Sequence, residues 1–69
     1  RIFADLTVMR DALRVVMHIG RKVSAPYFIK IVKGDKRVSH VALVRTAEDL
    51  RTIMPFLREA FDLAVSEKS

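Results

Sequence analysis

The side chains able to do acid–base or nucleophilic chemistry are few and scattered. His18 and His40 are the chain's two histidines, the residue type most often used as a general acid or base. A histidine becomes a general base for a nucleophile when a hydroxyl or thiol stands beside it and a carboxylate orients it. Neither Ser24 nor Ser39 has an activating partner at a recognisable spacing, and no carboxylate is placed to form a triad with either histidine. Glu48 and Asp49 are adjacent and so do not share a helix face; a capping role suffices for them. The chain has no cysteine, which removes thiolate zinc ligands, disulfides and thiol nucleophiles together. Two histidines do not make a metal site by themselves. No metal, no cofactor and no enzymatic activity are expected.

What the chain carries in quantity is positive charge. Its formal net charge is +5 over 69 residues. Residues 20–45 hold Arg21, Lys22, Lys30, Lys33, Lys36, Arg37 and Arg45 against the single acid Asp35, whereas the residues after Arg45 are net acidic. A focused basic stretch attracts polyanions. Phosphate backbone is held by several cations spaced along a track, and an aromatic ring among them, Phe28, could stack on a base. Arg21, Lys22, Phe28, Lys30, Lys33, Lys36, Arg37 and Arg45 are therefore the candidate nucleic-acid contacts. Nothing resembles a helix-turn-helix, a KH-type glycine loop or a zinc finger, so base-specific reading is not expected. Lysines on an exposed strand also have a plainer use, guarding a sheet edge against aggregation.

These residues must be positioned by a small α+β domain spanning residues 1–69 and read as helix, strand, strand, helix. From Asp5 to Ile19, Leu6, Met9, Leu13, Val16 and Gly20 recur at helical spacing. Val8, Ala12, Val15 and Ile19 add a second apolar stripe beside the first. That is wider than a lone surface helix needs, so this second stripe is the expected dimer or partner interface. Gly20 reads as the helix stop. Tyr27–Lys33 and Lys36–Arg45 read as two strands joined by a two-residue turn, Gly34-Asp35, with glycine at a positive φ. That register puts Tyr27, Ile29, Ile31, Val38, His40, Ala42 and Val44 on a core face. Phe28, Lys30, Val32, Arg37, Ser39, Val41, Leu43 and Arg45 form a contact face. Thr46 caps a last helix with Glu48 and Asp49 in its first turn. Leu50, Ile53, Met54, Leu57, Ala60, Phe61 and Ala64 form its core side, and Pro55 should kink or split it. Residues 66–69 read as a loose tail. His18 is expected exposed on the first helix, and His40 buried with one hydrogen bond.

A two-stranded hairpin is marginal alone, and two helices cannot cover both of its edges. A homodimer is expected, closing the surplus stripe and joining two hairpins into a four-stranded sheet. No apolar run approaches the roughly 20 residues of a membrane span. The absence of cysteine fits a cytoplasmic or other reducing compartment. The opening at Arg1 fits an excised piece of a longer protein. Nucleic acid and a protein are the possible partners, the second through the apolar first helix with no nucleic-acid binding at all.

Two stretches carry a resemblance. Tyr27-Phe28-Ile29-Lys30-Ile31-Val32-Lys33-Gly34-Asp35-Lys36 and Val41-Ala42-Leu43-Val44-Arg45-Thr46-Ala47-Glu48-Asp49-Leu50-Arg51 lie in a run, Leu13 to Leu57, that resembles the carboxy-terminal domain of ParB-type partition proteins. The resemblance implies a domain that dimerises, pairs sheets across the dimer and holds DNA through sheet lysines without sequence preference. Lys30, Lys33, Lys36 and Arg37 would be the contacts it implies here.

Overall fold

The computed structural model describes the backbone of residues 3–68 and the side chains of residues 3–66. Five elements follow in order: β1 (Ala4–Val8), β2 (Leu13–Ile19), β3 (Phe28–Lys33), β4 (Val38–Val44) and helix α1 (Ala47–Lys68). The strands form one antiparallel sheet in the order β1-β2-β4-β3. The fold is α+β, with a single helix among the described residues.

The segment expected to form a first helix is a hairpin instead. Leu13, Val15, Met17 and Ile19 alternate along β2 and point inward, a period of two. The β-branched Val15, Val16 and Ile19 favour a strand over a helix. Arg10 and Asp11 turn the chain, and the Met9 N–H donates to the Ala12 carbonyl at 2.9 Å to close the turn. The helical spacing of Leu6, Met9, Leu13 and Val16 was a coincidence of residues on both sheet faces and in the turn. Gly20 follows a strand and stops no helix. The four-stranded sheet expected from two copies is thus built within one chain.

The second hairpin also departs from its expected register. Lys33 lies opposite Val38 and Ile31 opposite His40, because the loop comprises Gly34, Asp35, Lys36 and Arg37. It is closed by the Gly34 N–H donating to the Arg37 carbonyl at 2.8 Å. Gly34 has no positive φ. It suits the turn because a Cβ there would stand 3.0 Å from the Arg37 carbonyl oxygen, a tight contact that the loop would have to relax. A slip of two residues keeps every β4 side chain on its expected face. The bulge between Phe28 and Lys30 does not preserve the faces of β3: it turns Phe28 into the core and leaves Ile29 exposed.

α1 lies over β2 and β4. Ile53, Ala60 and Ala64 are buried there, and Val15, Met17, Ile19, Ile53 and His40 are the largest fully buried side chains. Each large aliphatic one contributes roughly 1.5–3 kcal/mol by leaving water. The linker 20–27 runs along the same side. It turns at Pro26 with the Phe28 N–H donating to the Ala25 carbonyl at 3.1 Å, and Val23 and Ala25 pack on the core. Tyr27 touches the rings of Phe28 and Phe56 from the surface.

The start of α1 is fixed as expected. The Asp49 N–H donates to Thr46 Oγ1 at 3.1 Å, and Asp49 Oδ2 accepts the Arg45 N–H at 3.0 Å, a reciprocal cap worth about 1 kcal/mol. The helix passes Pro55 without a break. Pro55 and Arg51 are exposed, so the carbonyl deprived of its partner faces water and the helix need not split. Helix continues through Ser66 to Lys68, where a loose tail was expected; Ser69 lies outside the described residues. No helix among the described residues is long and apolar enough to cross a membrane.

Candidate functional site

Strand register decides where the cations go. Ile19 and Lys33 both lie opposite Val38, so the residues just after β2 and the β3–β4 loop share one end of the sheet. Lys22, Lys33 and Lys36 are exposed there, and Lys30 is exposed on the outer strand. None of these four makes an ion pair with a described residue. Arg21 is engaged differently. Its Nε and Nη2 donate to Glu59 Oε2 and Oε1, each at 3.0 Å, tying the linker to α1. Those hydrogen bonds, with the charge of Glu59, raise the Arg21 pKa further above its ordinary value. Arg37 sits half-buried in the loop and is also engaged. Arg45 is exposed at the opposite end of β4. Phe28 is 7% exposed and packs edge-on against His40 and Phe56. It is a core ring, and the bulge that buries it removes it from the stacking role expected of it.

The sheet face away from α1 brings together three residues that are far apart in sequence. His18 shares a 2.9 Å hydrogen bond between Nδ1 and Ser39 Oγ, and its Nε2 lies 3.5 Å from Asp5 Oδ2. His18 is therefore not an exposed helix residue, and Ser39 is not without a partner. The order carboxylate, imidazole, hydroxyl is that of a nucleophilic triad. Its surroundings differ: the backbone N–H groups of β2 and β4, both internal strands, are spent in the ladder, which leaves no amide pair there to receive an oxyanion. The three side chains join β1, β2 and β4 on an uncovered face. The alternation of residues 13–19 places His18 on an outward strand face, but only the pairing of β1 and β4 with β2 brings Asp5 and Ser39 to it.

His40 is fully buried and makes two hydrogen bonds, one more than expected. Its Nε2 accepts the Val23 N–H at 2.9 Å, and its Nδ1 lies 3.1 Å from the Val38 carbonyl. The first bond requires a lone pair on Nε2 and the second a proton on Nδ1, so one neutral tautomer is specified. An imidazole whose lone pair already holds the linker is not available as a general base.

Residues 1–64 match the family described as Domain of unknown function (DUF5655). The chain belongs to this family. No curated protein and no solved structure matches it.

The DUF5655 domain leaves one part of its core side uncovered. α1 reaches β1 only at its margin, where Phe3 and Phe61 meet edge-on with centroids 5.4 Å apart. Beside that contact runs an apolar groove of about 440 Å³ lined by Phe3, Ala4, Leu6, Met54, Leu57, Arg58 and Phe61. Leu6 is 63% and Val8 86% exposed. The stripe Val8, Ala12, Val15 and Ile19 expected as a partner interface does not exist as a surface. Val15 and Ile19 are fully buried in β2, Ala12 ends the turn, and only Val8 remains outside. Among the described residues no cluster of His, Asp or Glu could hold a metal ion.

Proposed function

We propose that this DUF5655 domain is a self-assembling module that contacts nucleic-acid backbone through the basic end of its β3–β4 hairpin. One observation carries the reading: the strand register gathers Lys22, Lys33 and Lys36 at one end of the sheet, with Lys30 further along β3 and, among the described residues, no acidic partner for any of the four. Such a cluster attracts any polyanion, and each neutralised phosphate releases counterions. With Phe28 buried, there is no ring in the cluster to stack on a base, so recognition is electrostatic and indifferent to sequence.

The test is anisotropy of unrelated labelled duplexes titrated at increasing salt. Affinity should fall steeply between about 50 and 200 mM salt. Changing Lys22, Lys33 and Lys36 together to Glu should abolish binding while the fold, read by circular dichroism, is unchanged. No binding at low salt, or an affinity indifferent to salt, rejects nucleic-acid contact. A second reading is favoured by the uncovered β1 and its groove: a protein-assembly domain in which polyanion binding is incidental. The lysine variant then leaves function intact, while changes at Leu6 or Val8 abolish it.

A further inference from the structure

We infer that two copies of the domain pair antiparallel along β1, about a twofold axis at Leu6, forming one continuous eight-stranded sheet with both helices on the same side. The inference rests on the self-assembly part of the reading above and supplies its surface; it is independent of nucleic acid.

The backbone of β1 sets the pairing. The His18 N–H donates to the Phe3 carbonyl at 3.0 Å, and the Met9 N–H to the Ala12 carbonyl at 2.9 Å. Opposed residues in an antiparallel ladder alternate between bonded and unbonded pairs. Asp5 and Thr7 therefore bond to Val16 and Arg14 of β2, with which they are in register. The N–H and carbonyl groups of Ala4, Leu6 and Val8 point outward, away from the sheet. An antiparallel copy centred on Leu6 sets Leu6 against Leu6 and Ala4 against Val8, so every outward group meets a partner. Centring on Asp5 would oppose two carboxylates, which is unfavourable. Centring on Thr7 would leave Ala4 without a bonded partner in the other β1.

The side chains fit the same axis. Leu50, Met54, Phe61 and Val65 recur along one flank of α1, beside its buried stripe, and are 39–50% exposed. With Leu6 and Val8 they expose on the order of 600 Å² per copy, a ceiling on what these residues can bury, against the roughly 800 Å² per partner of a standard interface. In the paired sheet the two β2 strands stand about 14 Å apart, and the helices, which lie over β2 and β4, stand further apart still. Directly packed helices stand at 8–10 Å, so the gap has room for Leu6, Val8, Met54 and Phe61 of both copies. The groove beside β1 becomes a shared core.

The experiment is sedimentation or light scattering of the whole chain from about 0.01 to 1 mM, with amide exchange measured at both ends of that range. The expected mass is twice 7.9 kDa, with the amides of Ala4, Leu6 and Val8 protected only where the dimer forms. Leu6→Lys and, on the helix side, Met54→Glu each weaken dimerisation at least tenfold. Both positions are largely exposed in one copy, so the fold survives. Lys30→Gln on the other edge changes nothing. A single copy at the highest concentration overturns both the seam and the self-assembly reading. A dimer indifferent to Leu6→Lys and Met54→Glu, or one without protection at Leu6, overturns the seam and leaves self-assembly standing.

Discussion

β3 and β1 border the same sheet, yet they treat their free edge in opposite ways. β3 carries Lys30 and Lys33 and is bent by the bulge at Ile29, two devices that discourage another strand from adding. Its inner side is sheltered, because the linker is held over β4 and β3 by the Val23–His40 bond and by Tyr27 against Phe56. β1 has no lysine, no proline and an unbroken register. Its inner side shows Leu6 and Val8 to the solvent. An edge with protection and an edge without it, in one small domain, indicate which of the two is meant to be met.

The largest effect should come from erasing that difference. Lys30→Val with Lys33→Val removes the charges that close the β3 edge, leaving both edges able to pair. The variant should assemble beyond a dimer into open-ended species, because a contact at each edge no longer closes. Light scattering that still shows the wild-type mass at about 1 mM would show that the bulge alone closes β3.

Next in size is the latch over β3. His40→Ala removes one part-buried and one buried hydrogen bond and leaves the Val23 N–H unmatched, while the Val38 carbonyl keeps its ladder partner opposite Ile19. A loss of about 3 kcal/mol is expected, a large part of the roughly 3–10 kcal/mol available to a chain of this size. Ser39→Ala, which cuts the part-buried bond to His18 on the uncovered face, should cost well under 1.5 kcal/mol. Urea midpoints rank the two; equal losses would mean that the linker is held by its apolar contacts alone.

The second half of the chain was the legible half. Proline and glycine punctuate residues 26–34, β4 is a short β-branched apolar run, and Thr46 with Glu48 and Asp49 announces α1, so these elements follow from local rules. Even there a bulge reversed Phe28, since an extra residue in a strand has no compositional mark. The first half misled because Val16 is apolar on an uncovered face. It filled the gaps of a period of two and let residues 6–16 imitate a period near 3.6. The cations were legible as a list but not as a place. Only pairing between distant strands, Ile19 with Val38 and Lys33 with Val38, brings Lys22 beside Lys33 and Lys36. The same long-range pairing sets His18 beside Ser39. No spacing along the chain foretells either.

The strand order has a consequence in time. Each hairpin closes over a short loop, a microsecond event, but β2 can meet β4 only after the whole of residues 20–37 has been drawn into a ring. That closure is the slow step, for its entropy is lost before the central contacts form. Val15→Ala, at the middle of the β2–β4 junction, should therefore retard refolding of the Leu6→Lys protein in stopped flow. A refolding rate left unchanged, with unfolding alone accelerated, would place the barrier elsewhere.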